Sequence, residues 1–450
     1  MAGKICFIAV SMILVTTSVA MAQRAPGGGP PQEAIDACQG KQAGNACSIE
    51  TPNGQLIKGS CLARGGRSFC VPAGGPDGGR AGGRPSSYEP RTPYAQAKRL
   101  TNKITETGQG TCFDDARVID CPSEGSAFYG QDAHYRGRAP AYRDNGDGTV
   151  SDGNTGLTWQ KAHNEKRQSF YDAQSACRGL GLGGHRDWRL PNLKELFSIT
   201  DWRGATGRRF FLDKNVFDLK VPGAEILKGD RFANTHRVEM MGQTWSSTIY
   251  TGDHWDREGV EAAFFFNFLD GRIKQAPTGT RNKLFYRCVR GPAWGGNAFR
   301  DNSDGTVTDA ASGLMWQQAD DGKARNWKDS LAACESLSLA GRDDWRLPNV
   351  KELQHLVDYS RSDPALDMRY FKQKDRDGWF WSSTTHGDNT ASASYVCFGK
   401  CVSVDNVDVH GAGAQRSDPK SGDPSRWGPM GGQRDQVRIL NYARCVRDAG

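Results

Sequence analysis

The chain contains two copies of one segment, and this duplication limits its possible folds more than any other feature. Residues 142–162 read YRDNGDGTVSDGNTGLTWQKA and residues 299–319 read FRDNSDGTVTDAASGLMWQQA. Each copy then passes through DWRLPN, KEL, WSST and RCVR in the same order. The shared residues are mainly Gly, Pro, Trp, Asp and Cys, which set turns, fill cores and form disulfides. Because the repeated motifs lack the His and carboxylate clusters of an active site, we predict one fold used twice for binding or structure.

The first residues have the composition of a secretory signal. Lys4 precedes an apolar run at 5–15, and small residues end at Ala22. The run is shorter than the roughly 20 residues that cross a bilayer, which disfavours a membrane anchor. We therefore predict a cleaved signal peptide over 1–22, a secreted, periplasmic or cell-surface protein, and no transmembrane anchor.

The cysteines predict disulfides. The chain has thirteen, and removal of Cys6 with the signal leaves an even number in an oxidising compartment. Cys38, Cys47, Cys61 and Cys70 allow three connectivities that the sequence cannot separate. Two long-range pairs have identical spacing in the two copies, and two further pairs are local. These four pairs are Cys177 with Cys288, Cys334 with Cys445, Cys112 with Cys121, and Cys397 with Cys401.

Composition divides the rest of the chain. Residues 23–32 and 73–98 are rich in Gly and Pro and are predicted to be linkers. Between them, residues 33–72 hold four cysteines and few apolar side chains, which is typical of a disulfide-stapled mini-module. The two copies, each of single-domain size, are predicted over 99–291 and 297–450.

Local patterns predict an α+β fold for each copy. The Asp-Gly pair of DNGDGTV or DNSDGTV lies between β-forming residues, which indicates a hairpin. An amphipathic helix carrying the first cysteine of the long-range pair follows. Asn192 with Glu195, and Asn349 with Glu352, have the spacing of a capping box that opens a second helix. Short β-rich segments such as AAFFFNFLDGRI and ASYVCFG complete each copy.

Taken in order, these motifs resemble the DUF1566 family, which is also named for the C-terminal domain of the Legionella collagen-like adhesin. The lead-in TGQGTCFDDARVIDCP resembles a segment that often precedes this domain. The resemblance implies two tandem C-type lectin-like domains, related to those of formylglycine-generating enzymes, in which the N- and C-terminal parts lie together. It also implies an adhesin-like role, since that adhesin binds sulfated glycans.

Charge is compatible with such a partner but does not select it. The net charge is +7, and the cations are interleaved with a similar number of acids, which is typical of a solvated surface. An acidic polysaccharide is the alternative that a basic surface favours. The sequence has no recognisable nucleic-acid-reading motif, and the oligomeric state is not predicted.

No cofactor or metal site is expected. In an EF-hand-like loop several acids precede the Gly, whereas the loops ending at Gly148 and Gly305 have one acid each at the required positions. The eight histidines share no spacing between the copies. SYVCFGKC in the second copy resembles the reactive cysteine stretch of formylglycine-generating enzymes. An oxidoreductase using Cys397 and Cys401 is therefore one alternative to a non-catalytic binding protein, and a structural envelope component is another.

Ligand candidates come from stretches in which the copies differ. Tryptophans of the repeated motifs are expected in the core, whereas four tryptophans in stretches where the copies differ are expected at the surface, where aromatic rings can hold sugars. These are Trp202, Trp255, Trp379 and Trp427. The same stretches supply arginines that can donate paired hydrogen bonds to acidic groups. These are Arg203, Arg208, Arg209, Arg272, Arg416, Arg426 and Arg434.

Overall fold

A computed structural model describes residues 32–50, 56–64, 67–72, 94–204, 209–220 and 242–450. The chain forms two compact units, Met1–Tyr88 and Glu89–Gly450. The predicted signal peptide lies outside the described residues, as does most of each predicted linker. Among the helices that are described, none combines the length and the apolar character needed to cross a membrane.

The first unit contains the cysteine-rich module. A short helix, α1 (Gln32–Asp36), precedes three antiparallel strands in the order β1-β2-β3. The strands are β1 (Ala46–Glu50), β2 (Leu56–Arg64) and β3 (Arg67–Pro72). Disulfides join Cys38 to Cys61 and Cys47 to Cys70, which selects one of the three possible connectivities. The four half-cystines form most of this module's buried core.

The second unit begins with the lead-in segment. Strand β4 (Lys98–Arg99) pairs in parallel with β7 (Tyr135–Arg136), and β5 (Cys112–Phe113) pairs with β6 (Val118–Ile119). The disulfide between Cys112 and Cys121 closes the second pair. The amide of Trp202 donates to the carbonyl of Thr107, so the lead-in is bonded to the first copy.

The first copy has two sheets and two helices. One sheet has the order β14-β10-β9-β8, and the other has the order β11-β12-β13. Its strands are β8 (Tyr142–Asp144), β9 (Thr149–Asp152), β10 (Thr158–Gln160), β11 (Gln243–Ile249), β12 (Ala262–Asn267), β13 (Arg272–Pro277) and β14 (Val289–Arg290). Its helices are α2 (Phe170–Arg178) and α3 (Leu193–Ser198). The closing strand β14 returns to pair with β10, so the two ends of the copy lie together.

The second copy repeats this plan. Its sheets have the orders β15-β16-β17-β21 and β18-β19-β20. Its strands are β15 (Phe299–Asp301), β16 (Thr306–Asp309), β17 (Leu314–Gln317), β18 (Trp379–Thr385), β19 (Ser392–Cys397), β20 (Gln415–Pro419) and β21 (Val446–Asp448). Its helices are α4 (Trp327–Glu335) and α5 (Val350–Leu356). Both copies therefore have mixed α and β structure, with more strand than helix.

The repeated residues hold the elements of each copy together. Disulfides tie α2 to the segment before β14 through Cys177 and Cys288, and α4 to the segment before β21 through Cys334 and Cys445. These are the long-range partners that the sequence predicts. Each second helix begins with the predicted capping box, at Asn192 with Glu195 and at Asn349 with Glu352.

The two copies pack against each other through their second helices. Lys194 on α3 donates from Nζ to the carbonyl of His355 on α5 at 2.6 Å, and Lys351 on α5 donates to the carbonyl of Ser198 on α3 at 2.9 Å. Lys194 matches Lys351 in the repeat, and Ser198 matches His355, so the contact is reciprocal. Residues of both copies belong to one hydrophobic cluster. The copies therefore meet as an approximately two-fold pair within one unit.

Candidate functional site

A polar cleft of about 130 Å³ lies where strand β13 of the first copy faces strand β20 of the second. Arg272 and Lys274 line it from β13, and Arg416 and Asp418 line it from β20. The segment 430–433 and Asp435 also line it. We call this the basic cleft because three cationic side chains meet there.

Strand register explains why the cations meet. Trp245 and Trp381 are matched motif residues, and they pair with Phe265 and Tyr395 respectively. On the next strand Lys274 pairs with Phe265, and Arg416 pairs with Tyr395. Lys274 and Arg416 therefore occupy the same position in the two copies. Sequence reasoning identified Arg416 but missed Lys274, because turns of different length precede the two strands.

Two of the cations are partly satisfied by acids and hydroxyls. Arg272 donates from Nη1 to Asp388 at 3.1 Å and from Nη2 to the Ser417 hydroxyl at 3.2 Å. Arg416 donates from Nη2 to Asp435, which is also 2.7 Å from Nε2 of His410. Burial alone would raise the pKa of Asp435, but Arg416 and His410 outweigh burial and lower it. Asp435 therefore stays ionised beside Arg416.

Other donors in the basic cleft remain unsatisfied. Arg416 is 6% exposed, and its Nη1 is buried without a hydrogen-bond partner in the described part of the chain. Lys274 donates no hydrogen bond to any described residue, and burial lowers the pKa of its ammonium group. Burial raises the pKa of Asp418 to about 7, which reduces its negative charge. Asp270 also lines the cleft, and its charge favours the charged form of Lys274. A buried donor without an acceptor is costly, and an anionic group would satisfy it.

The remaining predicted arginines lie elsewhere. Arg203 forms two hydrogen bonds to Asp201, at 2.8 and 2.7 Å, and Arg209 approaches the same carboxylate at 3.3 Å. Arg434 is exposed and pairs with Asp405 at 3.0 Å. Arg208 lies outside the described residues, as does the side chain of Arg426. Among the predicted arginines whose side chains the structure describes, only Arg272 and Arg416 line the basic cleft, and the others lie elsewhere.

The prediction that Trp202, Trp255, Trp379 and Trp427 are at the surface is wrong for two of them. Trp202 is 0% exposed because Phe197, Phe211 and His386 surround its ring. Trp379 is 1% exposed because Tyr395 stacks on its ring at 4.9 Å and Arg438 lies over it. Trp255 and Trp427 are exposed, at 39% and 43%.

The cysteine pair of the oxidoreductase alternative forms a buried disulfide. Cys397 at the end of β19 is bonded to Cys401, and the two residues are 0% and 1% exposed. Both belong to the hydrophobic cluster of the second unit. In this form neither sulfur is accessible to a substrate thiol, whereas redox-active cysteines are accessible.

The Asp side chains of the two Asp-Gly turns accept hydrogen bonds from residues of their own turns. Asp147 accepts from the amide and hydroxyl of Thr149 at 3.0 and 2.6 Å, and Asp304 accepts from Thr306 in the same way. This bonding is typical of turn-forming Asp residues. Two cysteine groups in the described chain have ligand-like geometry, but their sulfurs are already in disulfides.

Comparison with known proteins gives one match. The family model of the Lcl C-terminal domain matches residues 148–290 and 305–415, one match in each copy. No curated protein and no solved structure matches the chain.

Proposed function

The chain belongs to the Lcl C-terminal domain family, and on this premise we propose that it is an exported, non-catalytic, adhesin-type protein that binds acidic polysaccharide in the basic cleft. The acidic group is a sulfate or a uronic-acid carboxylate. Each copy is a C-type lectin-like domain in this proposal, and the cleft between the copies is the ligand site.

The unsatisfied donors of Lys274 and Arg416 carry this proposal. They stand at matched positions and face one small cleft. Nη1 of Arg416 is buried without a hydrogen-bond partner in the described chain, and the half-buried Lys274 ammonium forms no hydrogen bond with a described residue. Arg272, which is already bonded to Ser417, adds a third positive charge. Sulfate and carboxylate oxygens accept hydrogen bonds from such groups strongly.

The strand topology supports the proposal that each copy is a C-type lectin-like domain. In each copy the closing strand pairs with an early one, β14 with β10 and β21 with β17. A disulfide fixes the closing segment to the first helix of the copy. This leaves the two ends of each copy together, as the family resemblance implies.

The burial of Cys397 and Cys401 favours the binding role over the oxidoreductase alternative. Thiol–disulfide exchange requires a thiolate to reach one sulfur of the bond. Here strands β18 to β20 and their hydrophobic cluster cover both sulfurs.

The test is retention of the mature protein on a heparin-like matrix in a salt gradient. Lys274→Ala removes one donor without exposing a paired acid, and it should weaken binding about tenfold, the loss of one charge-assisted hydrogen bond. Lys328→Ala is the matched control, because Lys328 is an exposed lysine of α4 that does not line the cleft. It should elute with the wild type.

Two results would contradict the proposal. One is elution of the Lys274→Ala variant at the wild-type salt concentration. The other is an equal loss of retention in both variants, which would show that the protein binds the matrix through its general surface charge and not through the basic cleft.

A further inference from the structure

A larger cavity, of about 320 Å³, is enclosed by the lead-in segment and by residues of both copies. Thr107 and Asp132 of the lead-in, Tyr142 and Asp201 of the first copy, and Asn349 of the second copy line it. We call it the polar pocket. No residue lines both this pocket and the basic cleft. Its volume is at the lower end of the roughly 300–1,000 Å³ that is usual for small-molecule sites.

The acceptor in the polar pocket is the carboxylate of Asp132, which is 4% exposed. Its Oδ2 accepts from the hydroxyls of Thr107 at 2.8 Å and Thr384 at 2.6 Å. Its Oδ1 accepts from no residue of the described ranges. Because burial raises the pKa of Asp132 to about 7, this oxygen can accept from a ligand hydroxyl when the carboxyl is ionised and can donate to one when it is protonated.

The donor is the side-chain amide of Asn349, and the first copy shows what is unusual about it. The matched residue Asn192 donates from Nδ2 to the carbonyl of Trp294 at 2.9 Å. Both side-chain oxygens accept from their own helix amides, in the capping boxes. Asn349 is 7% exposed, yet its Nδ2 has no acceptor among the residues that the structure describes. The same amide is thus satisfied by the chain in one copy and left open to the pocket in the other.

From these two groups we infer that the polar pocket binds one uncharged sugar ring, with hydroxyls that form a hydrogen bond with the Asp132 carboxyl and accept from Asn349. A sugar hydroxyl can do both at once, which matches a site of mixed polarity. Tyr142 adds an aromatic face, which suits the C–H side of a pyranose.

The charges of the pocket disfavour an acidic sugar there. Four acids, Glu106, Asp132, Asp201 and Asp213, line it against two arginines, Arg136 and Arg203. Asp201 is neutralised by Arg203 and Arg209, but Glu106 and Asp213 have no ion pair with any described cation. A carboxylate or sulfate on the ligand would meet like charges in a partly buried site. The inference is therefore independent of the acidic polysaccharide proposed for the basic cleft.

The experiment is calorimetric titration of the mature protein with glucose, galactose, mannose, N-acetylglucosamine and glucuronic acid, each at millimolar concentration. At least one of the neutral sugars should bind, and its binding should be unchanged by Lys274→Ala. Any binding of glucuronic acid belongs to the basic cleft and should be weakened by Lys274→Ala. Asn349→Asp keeps the helix cap but replaces the amide donor with an acceptor. It should weaken neutral-sugar binding about tenfold or more, the loss of one hydrogen bond with a repulsion added.

Asn192→Asp is the matched control, because it makes the same change in the other capping box, away from the polar pocket. It should bind the neutral sugar as the wild type does, while thermal unfolding reports any shared effect on the fold. The inference is overturned if no neutral sugar binds, if Asn349→Asp binds like the wild type, or if both variants lose binding equally. Loss of heparin retention in Lys274→Ala with neutral-sugar binding intact would show that the two sites are separate.

Discussion

Replacement of Asp132 by Asn should make the second unit more stable at pH 8 but not at pH 4. Burial raises the pKa of this carboxyl from 3.8 to about 7, although the Thr384 and Thr107 hydroxyls oppose the rise. Between these pH values the folded chain holds a proton that the unfolded chain has released. Stability therefore falls as the pH rises through this window. A shift of roughly 3 units at about 1.4 kcal/mol each sets an upper limit of about 4 kcal/mol.

The Asn side chain keeps an oxygen that accepts from both hydroxyls and cannot ionise. The difference in unfolding free energy between variant and wild type should therefore grow from near zero at pH 4 to at most about 4 kcal/mol at pH 8. Urea unfolding followed by tryptophan fluorescence measures it, since all twelve tryptophans follow residue 88. Asp187→Asn is the control, because a hydrogen bond from Arg290 lowers the pKa of that exposed carboxyl. A difference for Asp132→Asn that is the same at both pH values would refute the reasoning.

Three further outcomes are expected. Peptide mapping without reduction should find Cys177 joined to Cys288 and Cys334 to Cys445, and any other partner for these cysteines would contradict the fold. Replacing either pair by Ser should destabilise its copy by about 4 to 5 kcal/mol, the chain-entropy value for a loop of roughly 100 residues. Thiol titration of the native mature protein should detect no reactive thiol from Cys397 or Cys401, and two such thiols would revive the oxidoreductase alternative. Lys351→Ala should lower the unfolding free energy by about 2 kcal/mol through loss of its hydrogen bonds to Ser198 and Glu106; an unchanged unfolding midpoint would show that the reciprocal lysine contact does not stabilise the pair of copies.

Much of the fold could be predicted from the repeat. Spacing that survives between two copies with different loops identifies residues needed by the fold, and this led to the long-range disulfide partners and both capping boxes. The repeated arginines fit the same logic, since Arg189 pairs with Glu195 and Arg346 with Glu352, in each case at 2.6 to 2.7 Å.

The surface predictions failed where they assumed that unrepeated residues are exposed. Trp202 lies in a stretch where the two copies differ, and its ring contacts His386 of the second copy. The difference between the copies at Trp202 therefore reflects in part this contact between the copies and not exposure to solvent. Patterns within the sequence of one copy cannot predict this burial.

The candidate sites were hidden for a related reason. Lys274 and Arg416 match only when strand register is known, because residues 268–271 link β12 to β13 whereas 398–414 link β19 to β20. The polar pocket depends on a lead-in segment that has no counterpart before the second copy. Neither arrangement follows from motifs read one copy at a time.

Binding of an acidic polysaccharide in the basic cleft can be measured on a glycan array probed at low salt. The wild-type protein should bind sulfated or uronic-acid glycans, and the signal should fall when the ionic strength is raised from about 0.1 M to about 1 M, where the Debye length shortens from about 10 Å to about 3 Å. The Lys274→Ala variant should show a weaker signal on the same glycans. An array with no acidic glycan bound at low salt would contradict the claim.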